Sequence, residues 1–211
     1  METVITPQFK INFPNLFKPR VNDLNGKAEF SLVALFPKGT DMSKLEAAIQ
    51  KVCEKKWGTD ATKWPKNIRH PFRNQSDRAK YDEITKKEVL PPGYEKGGLY
   101  MNLKSTNQPG VVNQRVEKIL DPEEIYSGCE CIASVRPFAY SQAGNNGVSF
   151  SLLNVQKVKD GDPLSGRTRA EDHFTPISQD PDFNAGSIFD DTEKVPHKKE
   201  SKFKLQKFSE I

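Results

Sequence analysis

The 211-residue chain has no apolar run approaching the roughly 18 residues of a membrane span, so no transmembrane helix is expected. Its start, METVITPQFKINF, lacks the charged-then-apolar layout of a secretory signal. Cysteine is scarce. Cys53, Cys129 and Cys131 are an odd number that makes no disulfide framework and fits a reducing cytoplasm. Histidine is equally scarce, and His70, His173 and His197 stand singly. A zinc site at Cys129-Glu-Cys131 needs two further ligands, and no second cysteine pair supplies them, so neither metal nor cofactor is expected. The Gly-Lys-Ser/Thr phosphate loop, His-Glu-x-x-His and Gly-x-Ser-x-Gly are all missing, which makes enzyme chemistry the weaker reading. Pro181-Asp182 followed by Glu193-Lys194 resembles nuclease carboxylate spacing within a polar stretch, which keeps a metal-dependent nuclease or junction resolvase as the alternative.

Charge is present but unevenly placed. The net charge is only +4, yet residues 1–170 carry 26 Lys/Arg against 19 Asp/Glu. Residues 171–193 carry seven acids and no Lys or Arg, and residues 194–211 carry six lysines against two glutamates. A basic body suits a polyanionic partner, and an acidic strip in the same chain is able to compete for that surface. With 15 prolines and 13 glycines, many turns and few long helices are expected. Beyond Gly161 apolar periodicity fades. The expected organisation is a folded domain over 1–166 and a disordered C-terminal tail over 167–211, acidic at 171–193 and basic at 194–211.

The pattern predicts strands at Phe9–Phe13, Lys27–Pro37 and Gly98–Ser105, with a loop or short hairpin over 14–26 because of Pro14, Pro19 and Asn25-Gly26. One helix is predicted over Ser43–Trp57. Leu45, Ala48, Ile49, Val52 and Cys53 share one face, Ser43 and Glu46 have capping-box spacing, and Gly58 ends the run. Residues 58–97 read as long irregular loops. In them Trp64, Phe72, Tyr81 and Tyr94 are interleaved with Lys66, Arg69, Arg73 and Arg78. Several short strands with one helix after the second favour a mainly β fold, an OB-fold-like small β-barrel with a flanking helix at about 43–57 and long loops.

The segment Gly128–Gly161 reads as a hairpin. With Asn146-Gly147 as its turn, Tyr140 faces Leu153, Phe138 faces Val155 and Arg136 faces Lys157. Cys129, Cys131, Ala133 and Val135 then fall on a core side with Phe150, Leu152 and Val158. Ser134, Arg136, Phe138 and Tyr140 fall on the other side with Leu153, Val155 and Lys157. A face combining rings with cations suits unpaired nucleotides, because bases stack on rings and phosphates pair with Arg and Lys. It is also the face of a second hydrophobic layer, since aromatic cross-strand pairs stabilise sheets.

IYSGCECIASVRPFAY, followed by GVSFSLLNVQKVKDGDPLSG, resembles the signature block of a phage-encoded single-stranded-DNA-binding protein family. AEFSLVALFPKGTDMSKLEAAI and LKSTNQPGVVN are similar as well, so the likeness covers most of 25–166. The resemblance implies an OB-fold that coats single-stranded DNA during phage replication, recombination or repair, without a cofactor and largely without sequence preference. It is similar in plan to the helix-destabilising proteins of lytic podophages, whose acidic tail contacts replication partners and competes with DNA. Carried over, the resemblance implies that Arg136, Phe138, Tyr140 and Lys157 lie on or near the DNA face, with Trp64, Arg69 and Arg73 in the loops, and Tyr100 and Lys104 on the strand Gly98–Ser105, as further candidates. Here a basic end follows the acidic strip, which departs from that plan. A homodimer is compatible with this reading, and an adaptor that grips a protein partner through the same rings is the third class.

Overall fold

The computed structural model describes residues 2–21, 26–142, 144–164 and 174–175. The chain divides into two units, Met1–Thr168 and Arg169–Ile211, and the architecture below is that of the first. The acidic and basic blocks expected in the tail lie outside the described residues, apart from Phe174 and Thr175.

Eleven strands and one α-helix are laid out along the described residues. They are β1 (Val4–Ile5), β2 (Phe9–Val21), β3 (Ala28–Phe36), α1 (Ser43–Trp57), β4 (Ile68–Arg69), β5 (Arg73–Asn74), β6 (Lys80–Asp82), β7 (Lys87–Val89), β8 (Leu99–Ser105), β9 (Gly110–Val112), β10 (Glu130–Gln142) and β11 (Asn145–Lys159). The sheet closes on itself as β2–β3–β8–β11–β10 and back to β2. Numbered from β2, the ring runs first, second, third, fifth, fourth, and only the third and fifth strands pair in parallel, through Ser151 and Lys104. This is the order of an OB-fold, which removes most sheet edges by closure.

Alternation fills the barrel. Ile11, Leu32, Ala34, Leu103, Cys131, Ala133, Val135, Phe150 and Leu152 point inward and are buried. Helix α1 keeps the bounds its periodicity predicts and buries Leu45, Ala48, Ile49 and Cys53. Its start differs from expectation: Ser43 is already helical, Met42 precedes it without a side-chain cap bond, and the Asp41 carboxylate accepts from the Ser43 N–H at 2.9 Å. The difference costs little, because a cap is worth about 1 kcal/mol while burying a single Leu or Ile contributes about 1.5–3 kcal/mol. Gly58 ends the helix at φ 91°, its N–H bonded to Glu54 O.

Two expectations are corrected. First, residues 14–21 form no separate loop, because β2 runs on through Pro14 and Pro19. Its pairing with β3 breaks register between Asn12 and Asn15 and again between Asn15 and Arg20, and those irregularities accommodate residues that cannot donate to a ladder. Second, the hairpin turn is not Asn146-Gly147. Gln142 pairs with Asn145, so Asn146-Gly147 lies within the paired strand, and Gly144 has φ 78°. Residues 58–97, expected as long irregular loops, contain several short elements. β4 adds in parallel to β11, β5 adds to β8, and β6 and β7 form a small separate hairpin.

Candidate nucleic-acid interface

Turn position and bulges decide which side chains share the outer surface of the barrel. From the tip, Tyr140 pairs with Gly147, Phe138 with Ser149 and Arg136 with Ser151. The predicted pairing is shifted by an even number of residues, so the faces near the tip survive the error. A bulge between Ser134 and Val135 then reverses the alternation on β11. Val155, expected outside, faces Ala133 and is 1% exposed in the core.

Lys157 is the second casualty of that bulge. It pairs with Cys131, far from Arg136. Its ammonium lies 2.9 Å from the Asp160 carboxylate and 5.8 Å from the centre of the Tyr126 ring. Tyr126 donates its hydroxyl to Asp160 Oδ1 at 2.9 Å and to Gly161 O at 3.0 Å, and Leu164 N–H bonds to Ser127 O. Gly128 and Gly161 pass so closely that neither has room for a Cβ. The Tyr-Ser-Gly-Cys and Gln-Lys-Val-Lys-Asp-Gly stretches are therefore one internal clasp. Burial and the bond to Asp160 push the Tyr126 hydroxyl up to about 12.

The open wall lies at the other end of the hairpin. Arg136 is exposed; Phe138 and Tyr140 are half-buried, with ring centroids 6.3 Å apart at 46°. Tyr140 leans over Gly147, where a Cβ would stand 2.5 Å from the tyrosine Cζ, so a glycine is what allows the ring to lie across β11. Beyond Gly147, in register with it, stands Arg69 of β4. Arg73 of β5 is in register with Tyr100. The residues read as loop candidates thus become strand residues joined to the same surface. No ion pair to a carboxylate engages Arg69, Arg73 or Arg136 among the described residues.

One row of the outer surface crosses the whole barrel. It runs Arg136 (β10), Ser151 (β11), Lys104 (β8), Ser31 (β3), Asn15 (β2). Cations alternate with serines, and Lys104, half exposed, holds the largely buried Glu29 carboxylate at 2.8 Å.

Tyr100 is placed differently from expectation, and Trp64 stays in a loop as expected. Tyr100 is on the outer side of β8 but only 3% exposed. The Arg78 guanidinium sits 5.0 Å over its ring, and Tyr94 packs edge-on at 6.1 Å. A strap over residues 75–98 makes this cover. The buried Gln75 amide donates to Phe36 O and Leu99 O and accepts from Glu95 N. A ring sealed in this way has no face for a base. Trp64 donates its indole N–H to Gly58 O at 2.7 Å and packs beside Trp57, locking the end of α1. The cysteines are all free and buried, and burial pushes the Cys131 thiol up to about 12. Among the described residues no group of three or more His, Cys, Asp or Glu comes together as a metal site. No helix among them is long and apolar enough to cross a membrane.

Barrel order and open wall define an OB-fold of the kind whose outer face receives oligonucleotides or oligosaccharides. The model of the single-stranded-DNA-binding protein family of Enterobacter phage Enc34 matches residues 2–184, and the chain belongs to that family. Among solved structures, the chain is similar to the single-stranded DNA-binding protein of bacteriophage Enc34 in complex with ssDNA, with TM-score 0.56 and 22% identity over 76% of this chain and 88% of that one. It is also similar to gp2.5, a single-stranded DNA binding protein encoded by bacteriophage T7, with TM-score 0.54 and 13% identity over 80% and 98% of the two chains. No curated protein matches.

Proposed function

We propose that this protein binds and coats single-stranded DNA, largely without sequence preference, during phage replication, recombination or repair, and does so without catalysis in the host cytoplasm. The observation that carries the reading is the outer wall on which Phe138 and Tyr140 stand between Arg136 and Arg69, guanidiniums that no carboxylate of the described residues neutralises. Bases stack on the rings, while Arg136, Arg69, Arg73 and Lys104 take phosphates. Family membership supports the same reading. In this reading residues 1–166 bind DNA, and residues 167–211 form a tail whose acidic strip competes for the wall and meets phage replication or recombination proteins.

Titration with oligo-dT and with duplex of the same length, at two salt concentrations, tests the proposal. The account expects preference for the single strand and a log–log salt slope of about −0.7 per phosphate contact. Equal affinity for both forms, or none at low salt, contradicts it. Cleavage of labelled DNA with magnesium or manganese, abolished by changing one carboxylate, would favour a nuclease instead.

A further inference from the structure

Phe13 is a bulky residue at φ 47°, in the left-handed region, and it is 63% exposed. Both features are unfavourable on their own. A phenylalanine in that conformation is a conformational outlier, and glycine would adopt it freely. The surrounding structure holds it in place. The Phe13 N–H is shared between Asn12 Oδ1 at 3.0 Å and Ser127 Oγ at 3.1 Å, and the Asn15 amide donates to Phe13 O at 3.2 Å. The cause of the bend is the closing of the barrel. Up to Ile11, β2 is bonded to the segment at Gly128–Cys129 on one side and to β3 on the other; past the bulge at 13–14 it continues with β3. That bend requires a left-handed residue, not a phenyl ring. Residues kept in sparsely populated conformations by their surroundings cluster at functional sites.

The position of the ring indicates what it meets. Asn15, two residues on, ends the row that begins at Arg136 and passes through Ser151, Lys104 and Ser31. Phe138 adjoins one end of that row and Phe13 the other, so the row passes over four strand pairings round the closed barrel. β2 itself carries Lys10, Lys18 and Arg20 and not one Asp or Glu. Glu130 and Glu29 stand in register with Lys10 and Arg20 on the neighbouring strands, and an exposed ring on this basic strand suits a base within a polyanion better than an apolar protein pocket.

We propose that Phe13 is a second base-stacking platform, which takes a nucleotide at the β2 end of the single strand that crosses the barrel. The inference rests on the single-stranded-DNA reading and extends it from a hairpin site to a track with a ring at each end.

The test compares wild type, Phe13→Gly and Phe13→Asn, both replacements being residues that tolerate the left-handed backbone, by thermal unfolding and by titration with long and short oligo-dT. Phe13→Gly is expected to keep or raise the Tm while weakening long oligo-dT binding about tenfold. Its occluded site is expected to be shorter than that of wild type, and binding of the shortest oligonucleotides that still bind is expected to change little. Phe13→Asn should behave in the same way. If wild type fails to bind, the functional reading itself fails. If wild type binds and both variants bind long oligo-dT equally well at unchanged Tm, Phe13 belongs to a protein contact and this inference is overturned. A fall in Tm in both variants alongside lost affinity shows a packing role and overturns it too.

Discussion

At one end of the β10–β11 hairpin, Arg136, Phe138 and Tyr140 stand on an outer wall, and no carboxylate of the described residues pairs with the guanidinium. At the other end, Lys157 and Tyr126 bring the same chemistry, a cation and a ring, into contact with each other and with Asp160. A ring beside a cation is a binding surface only where neither group is already satisfied. In the clasp the Lys157 side chain is 15% exposed and its charge is neutralised, so it holds the chain in place. On the wall Gly147 leaves room for the Tyr140 ring to lie across β11, with Arg136 exposed beside the two rings.

Substitutions at the two ends should therefore separate binding from stability. Phe138→Ala and Tyr140→Ala should each weaken oligo-dT binding by about 1–3 kcal/mol in a fluorescence titration, with little change in Tm. Unchanged affinity in both would leave these rings as a hydrophobic layer. Tyr126→Phe removes the hydroxyl from Asp160 and Gly161 and should lower stability by about 1 kcal/mol in urea unfolding. Its affinity below the unfolding transition should match wild type, and a Tyr126→Phe protein that is stable but binds poorly would erase the distinction.

Gly147→Ala sharpens the comparison within the wall itself. The added Cβ meets the Tyr140 ring, so affinity should fall several-fold, and the loss should vanish in a Tyr140→Leu background. An equal loss in both backgrounds would mean that glycine acts on the sheet rather than on the ring. The smallest effect concerns pH. The Tyr126 hydroxyl is raised from 10.0 to about 12, so the folded protein holds that proton where the unfolded chain has released it. This contribution is fully present below pH 10 and is lost as pH rises toward 12. The corresponding slope in stability should be absent from Tyr126→Phe.

Helix α1 was legible to its end residues because its apolar period, its breaker and its buried face agree. The ring of strands and the outward placing of Arg136, Phe138 and Tyr140 were legible from period-two alternation. The turn was misread because Asn-Gly is the stronger local signal, whereas the long pairing of β10 with β11 runs on past it to Gln142 and Asn145. Lys157 was misplaced because a bulge leaves no mark in a strand pattern. Tyr100 alternates onto the outer side, as its strand pattern implies, but no local rule shows that a strap anchored by Gln75 covers it. Arg69 and Arg73 were read as loop cations, and their strand registers depend on tertiary docking of two-residue pieces. Phe13 carried no sequence signal beyond its alternation, since its interest lies in a backbone angle.

Photo-crosslinking of oligo-dT, with the modified residues mapped by mass spectrometry, tests the central claim most directly. The account predicts adducts at Phe138 and Tyr140, and none at Tyr126 or Tyr100. Adducts concentrated at Tyr126 beside Lys157, with the outer wall unmodified, would contradict it.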